Sequence, residues 1–305
     1  MVARASLKLA ADRLSCDADF NEDPVMNRTA SPTALVVEGG AMRGIFASGV
    51  LDAFIERDYR PFDFAIGVSA GATNLLAYLA SQHGRSHDIL TELACTPEFL
   101  DPLRFAKGGN LVDIHWLWHT SCRKYPLDIH RYRESGIPFY AVVTNALTGK
   151  AEYIRVKPEN MDEVLPASCA IPLASREYPE VHGVPMTDGG VADSIPVIEA
   201  YRRGARQMTV ILSEPLGYRL KPMPFPWMIR TLLKTHPALA QALEQRDRSY
   251  NEALDFIANP PADCQIEVIA PADYFPVSRF TRDINKLEMG YVMGKCAGYQ
   301  AALLN

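Results

Sequence analysis

The chain lacks a cysteine framework. Its six cysteines, at positions 16, 95, 122, 169, 264 and 296, contain no C-x-x-C pair and no spacing that suggests paired disulfides. Scattered thiols of this kind fit a reducing compartment better than a secreted scaffold. An apolar run long enough to span a bilayer is also missing. Arg4, Lys8, Asp12 and Arg13 interrupt the first thirty residues, which argues against a secretory leader. A cytoplasmic location is therefore expected. There is no basic excess: the net charge is −5, which leaves no electrostatic footprint for nucleic acid. A local patch can still differ from the mean, so this charge does not exclude contact with a membrane surface. Internal repeats and low-complexity blocks are absent as well.

What is present describes a layered α/β protein. Apolar residues make up 48% of 305 residues and charged ones 22%, which excludes global disorder and fibrous classes. Thr33 to Glu38 and Phe62 to Gly67 are short apolar runs closed by glycines, as buried parallel strands should be. Between them, Arg43 to Arg57 has helical apolar spacing, with a small-residue patch at Ala47, Ser48 and Gly49 suited to close packing. Ala72 to Ser81 reads as the next helix, completing a βαβ unit. Residues 86 to 133 read as helical and irregular. Further strands are expected at Phe139 to Ala146, Ala151 to Val156, Gln207 to Leu212 and Gln265 to Ala270, the first two as a hairpin. Helices are expected at Met161 to Ala170, Ile195 to Arg203, Arg282 to Leu304, and Trp227 to Ala258, the last interrupted or kinked at Pro237. Strands spread along the whole chain favour one α/β domain over residues 32–305. Residues 1–31 read as an extension, with a short amphipathic helix over 5 to 15 and a linker from Asn21 to Pro32 as its readable features.

Three motifs carry chemistry. Gly67-Val68-Ser69-Ala70-Gly71 lies between a strand and a helix, the context a nucleophile elbow requires. A sharp turn there lifts Ser69 clear of the sheet, Gly67 and Gly71 relieve crowding, and the helix start presents N–H groups. An ordinary turn with Ser69 as a helix cap satisfies the same pattern. Glu38-Gly39-Gly40-Ala41-Met42-Arg43-Gly44 is a second strand-to-helix turn whose N–H groups could converge on an anion. It has neither a dinucleotide fingerprint nor a Walker lysine, whereas an oxyanion hole needs only two or three donors. Arg43 would bind an anionic head group or pin the loop to a carboxylate such as Glu38. Asp188-Gly189-Gly190 is the third motif, and alone it reads as a turn.

The histidines do not complete a Ser-His-Asp site. His236 alone follows Asp188, inside a helical stretch, and the His83/His87 and His115/His119 pairs lack the adjacent glutamate of a zinc helix. No metal is expected. The three motifs, in this order and each in its proper local setting, resemble the patatin-like phospholipases. The resemblance runs from about Ala34 to Leu212 and includes Ala167-Ser168-Cys169-Ala170-Ile171-Pro172. It implies a three-layer α/β/α sandwich with a mostly parallel sheet and a Ser–Asp dyad that uses no cofactor. Carried over, Ser69 is the nucleophile, Asp188 its partner, and Gly39, Gly40, Ala41, Met42, Arg43 and Gly44 form the oxyanion loop. Ala41 departs from the family's usual third glycine, and alanine resists positive φ.

The implied substrate is a lipid ester, with peripheral membrane contact through Trp116-Leu117-Trp118 or Met223 to Met228, both of which core packing would equally explain. An acyltransferase or small-ester esterase would use the same dyad. An inactive lipid-binding or interaction module would keep the fold without turnover.

Overall fold

β1 (Thr33–Val37) and β2 (Phe64–Val68) pair in parallel through the crossover helix α1 (Gly44–Glu56), and α2 (Ala70–Leu79) leaves the end of β2. The computed structural model describes residues 31–304. The helix expected over residues 5 to 15 and most of the expected linker lie outside them. The irregular middle contains α3 (Arg85–Asp88), α4 (Pro102–Ala106), α5 (Ile114–Lys124) and α6 (Ile129–Glu134). There follow β3 (Phe139–Asn145), β4 (Ala151–Arg155), α7 (Met161–Cys169), β5 (Glu180–Val181), β6 (Val184–Asp188), α8 (Val197–Arg202) and β7 (Gln207–Ile211). The chain closes with α9 (Pro226–Leu232), α10 (Pro237–Ala258), β8 (Gln265–Ile269) and α11 (Ile284–Leu304).

The sheet runs β5-β6-β3-β2-β1-β7-β8, with β4 against β3. The pairs among β3, β2, β1, β7 and β8 are parallel, and β4, β5 and β6 pair antiparallel. Alternate residues of β1 feed opposite layers. Leu35 and Val37 pack with Phe46, Leu75 and Leu165 on one face. Ala34 and Val36 pack with Val197, Ala200 and Leu254 on the other. Helices therefore cover both faces of the sheet, as the three-layer reading expects.

Of the two readings at Pro237, interruption is the one found: the stretch from Trp227 to Ala258 divides into α9 and α10. Pro237 occupies the first turn of α10, where its missing N–H costs nothing, and it cannot continue a helix from α9. Strands β5 and β6 were not foreseen, because Glu180 to Asp188 contains Pro185 and a tight turn at His182 and Gly183 rather than an apolar run. β6 matters most for the site. It joins β3 at Val143 to Asn145, just beyond the point where β2 stops. Because β4 occupies the other edge of β3 at Val143 and Thr144, β2 and β6 must share one edge and approach it from opposite ends. Val68 lies opposite Val142, and Asp188 opposite Val143. The ends of the two strands, and hence Ser69 and Asp188, face each other.

Candidate active site

Ser69 stands between β2 and α2 with φ 52° and ψ −124°, and makes no side-chain capping bond. The helix-cap alternative therefore fails on geometry. A non-glycine residue at positive φ stores about 1–3 kcal/mol and persists only where its surroundings impose it. Here the Ser69 N–H donates to Ser168 Oγ at 2.9 Å, and that hydroxyl donates to the Val142 carbonyl at 2.7 Å. The flanking glycines are needed for space. A Cβ on Gly67 would lie 2.8 Å from Ala72 Cα, and one on Gly71 would lie 2.5 Å from the Val37 carbonyl oxygen.

Asp188 is held from both sides. Its N–H donates to the Ala170 carbonyl at 2.9 Å, and its own carbonyl accepts from Thr144 Oγ1 at 2.9 Å. The carboxylate accepts the Gly190 N–H at 2.7 Å. Gly189 passes so close to β3 that a Cβ would sit 2.2 Å from the Val142 carbonyl oxygen, which accounts for the first glycine of the motif. Burial pushes the Asp188 carboxyl above the usual carboxylate range. The Gly190 N–H, the Ser69 hydroxyl and the charges of Arg246 and Arg279 oppose that shift. Cys169 completes the cluster. Its thiol is pushed up to about 12 by burial and by the Asp188 charge, with the Ser69 hydroxyl as hydrogen-bond neighbour, so it stays a neutral thiol.

The glycine loop is clamped at both ends to the segment after β7. The Glu38 carboxylate accepts from the Ser213 N–H at 2.6 Å and the Tyr250 hydroxyl at 2.9 Å, and burial raises its pKa. Arg43 donates through Nε to the Ser213 carbonyl at 3.1 Å and pairs with Glu214 at 2.8 Å. Arg43 thus pins the loop, through Glu214 rather than Glu38. Within the loop, the N–H groups of Met42, Arg43 and Gly44 are used internally or by Arg279 O. Those of Gly39, Gly40 and Ala41 meet no acceptor among the described residues, and all three residues line a cavity with Ser69. Ala41 takes φ 49°, the left-handed conformation that glycine would reach without strain.

Two cavities meet at Ser69, and Ala41, Ile171 and Arg279 line both. The first, about 920 Å³ with its mouth, is walled by Leu90, Phe99, Leu100, Leu117 and Trp118. The second, about 820 Å³, holds Asp188, Gly39, Gly40 and Arg246. Trp118 is buried, with its Nε1 donating to Asp162 at 2.9 Å, so this part of the Trp116 to Trp118 run serves cavity wall and core rather than a membrane face. Trp227 and Phe225 are 64% and 63% exposed. The histidines lie elsewhere: His83 pairs with Glu56, His87 with Asp88 and Glu288, and His236 stacks edge-on against Tyr178. Sequence reasoning missed the roles of Ser168, Ser213, Arg246 and Arg279. Ser168 at least lies in a segment already singled out, but Arg246 sits in the charged run Glu244 to Arg248, which reads as a solvated helix face.

Comparison with known proteins bears on this geometry. The uncharacterized protein YjjU of Escherichia coli (strain K12) is 35% identical over 270 residues, covering 87% of this chain and 75% of that protein. The crystal structure of VipD from Legionella pneumophila superposes with a TM-score of 0.51 at 13% identity, over 90% of this chain and 67% of that one, a likeness of fold. A domain of unknown function (DUF6363) matches residues 236–302. The model of the patatin-like phospholipases matches residues 35–201, the span that contains the glycine loop, Ser69 and Asp188, and the chain belongs to that family.

Proposed function

We propose that the chain hydrolyses carboxylic esters of lipids, with Ser69 as nucleophile and Asp188 as its base. The observation that carries this reading is the strained Ser69 turn beside a buried carboxylate, at the mouth of an apolar cavity. Asp188 accepts the Ser69 proton as Oγ attacks the ester carbonyl carbon. The oxyanion takes hydrogen bonds from the free N–H groups of Gly39, Gly40 and Ala41, so the first half of the loop does the work and Met42, Arg43 and Gly44 shape it. The carbon–oxygen bond to the alcohol breaks, and that alcohol leaves with the proton from Asp188. Water, deprotonated by Asp188, then attacks the acyl-enzyme and regenerates Ser69. A carboxylate is ordinarily a weak base at neutral pH, and the burial that raises the Asp188 pKa brings it nearer to the working range.

The apolar cavity suits an acyl chain. Peripheral contact with a lipid surface fits the exposed segment before and within α9. Met223 and Ile229 line the Asp188 cavity, while Phe225, Trp227, Met228 and Leu232 of the same stretch face solvent. A fluorophosphonate probe tests the nucleophile directly. The wild type should be labelled and Ser69→Ala should not; persistent labelling of Ser69→Ala would refute the assignment.

A further inference from the structure

The second cavity carries two guanidinium groups that no carboxylate neutralises at ion-pair distance. Arg246 projects from α10 and donates to the Gly190 carbonyl at 2.5 Å and to Ser194 Oγ at 3.3 Å, with no ion-pair partner among the described residues. Arg279, in the loop before α11, has neither a side-chain hydrogen bond nor an ion pair among the described residues, and it lines both cavities. Both charges act on Asp188 and on each other. Arg43, the third nearby cation, is already paired with Glu214. A half-buried arginine without a partner, as Arg279 is among the described residues, is costly in a resting protein, since its donors lose water and gain nothing. With the Arg246 charge lining the same cavity, and three backbone N–H groups that meet no acceptor among the described residues, it gives that cavity a surface suited to an anion.

The position of this surface relative to Ser69 assigns its ligand. With the acyl chain in the apolar cavity and the carbonyl carbon at Ser69, the alcohol half of the ester must enter the Asp188 cavity. In a glycerophospholipid the phosphate lies only a few bonds beyond the ester oxygen, and so enters the same cavity that Arg246 and Arg279 line with Ser69. We propose that Arg246 and Arg279 form a subsite for the phosphate of the substrate's head group, selecting phosphate-bearing lipid esters over neutral ones. Both arginines come from residues 236–302, the segment matched by the domain of unknown function. That segment therefore supplies the head-group side of a site whose nucleophile and base come from the first two hundred residues. The proposal rests on the hydrolase reading above and deepens it.

The test uses the full chain and a matched pair of substrates: a lysophospholipid with a phosphomonoester head group, and the neutral monoacylglycerol with the same acyl chain. The wild type should favour the phosphate-bearing lipid. Arg279→Gln should cut that preference on the order of tenfold to a hundredfold, the range for losing charge-assisted hydrogen bonds, and chiefly through KM. Arg279→Lys should recover part of it. An unchanged preference overturns the proposal. So does a parallel loss on both substrates, which would mean that the arginine acts only by keeping Asp188 ionised. Inorganic phosphate is the second arm, measured as displacement of a fluorescent lysophospholipid from the Ser69→Ala protein. Displacement that Arg279→Gln abolishes supports the subsite. Phosphate binding without any head-group preference in turnover would make it a site for the free anion and overturn the lipid assignment. If neither lipid is hydrolysed and the fluorophosphonate fails to label, the hydrolase reading has failed, and binding to Ser69→Ala still decides the subsite. Arg246→Gln should lower the preference in the same direction; should it fail to fold, because Arg246 also holds Gly190, Arg279→Gln carries the test alone.

Discussion

At the scale of single residues, the site is a set of backbone placements. Ser69 and Ala41 both sit at positive φ without being glycine, and both are fixed by neighbours rather than by their own preference. For Ala41 this answers the question raised by the missing third glycine: alanine takes the conformation and bears a strain of about 1–2 kcal/mol. Asp188 yields a pH prediction. Its pKa is raised chiefly by burial, and under the proposed mechanism protonation removes the base. Activity is therefore full above the raised pKa and lost as pH falls through it. The acid limb of kcat/KM should lie above the ordinary carboxylate range. Removing a nearby cation with Arg279→Gln should move that limb to still higher pH, and Asp188→Asn should abolish turnover. A limb at the ordinary carboxylate value would contradict the assignment of Asp188 as base.

At the scale of elements, α1 and α11 meet backbone to backbone. A Cβ on Gly294 would lie 2.1 Å from the Phe46 carbonyl oxygen, and one on Gly49 2.2 Å from that of Tyr291. The backbones touch, so no side chain fits between them. Gly294→Ala should cost about 2–3 kcal/mol, the upper range for overpacking, read as a lower urea midpoint. Gly217→Ala, where nothing lies within 4 Å, should stay within about 0.5 kcal/mol. The small-residue patch at Ala47 to Gly49 predicted a close neighbour for α1. The partner, more than two hundred residues away, was not readable from that patch.

At the scale of the whole molecule, most apolar residues close the cores on the two faces of the sheet, while others line the cavities or face out. Among the described residues, no helix is long and apolar enough to cross a membrane. The exposed residues of the α9 segment, proposed above for contact with a lipid surface, lie in the stretch whose Met223 and Ile229 line the cavity that holds Asp188. Trp227→Ala should weaken co-sedimentation with liposomes by about tenfold, the effect of losing roughly 1.4 kcal/mol of apolar contact. Unchanged sedimentation would leave the α9 segment without this role.

The sequence by itself determined the βαβ core, the helix periodicities, and the three turns that bear Gly39 to Gly44, Ser69 and Asp188. Each of these is a local property, readable from a short apolar run and the glycines that end it. The tertiary structure decided which residues meet. Ser69 reaches Asp188 because β2 and β6 share an edge of β3, and no local pattern marks β6 as a strand. The glycine loop owes its shape to Ser213 and Glu214, and the charge of the second cavity to Arg246 and Arg279, all distant in sequence. Such contacts follow from strand order and helix packing, which depend on how the whole core closes and leave little trace in any one stretch of chain.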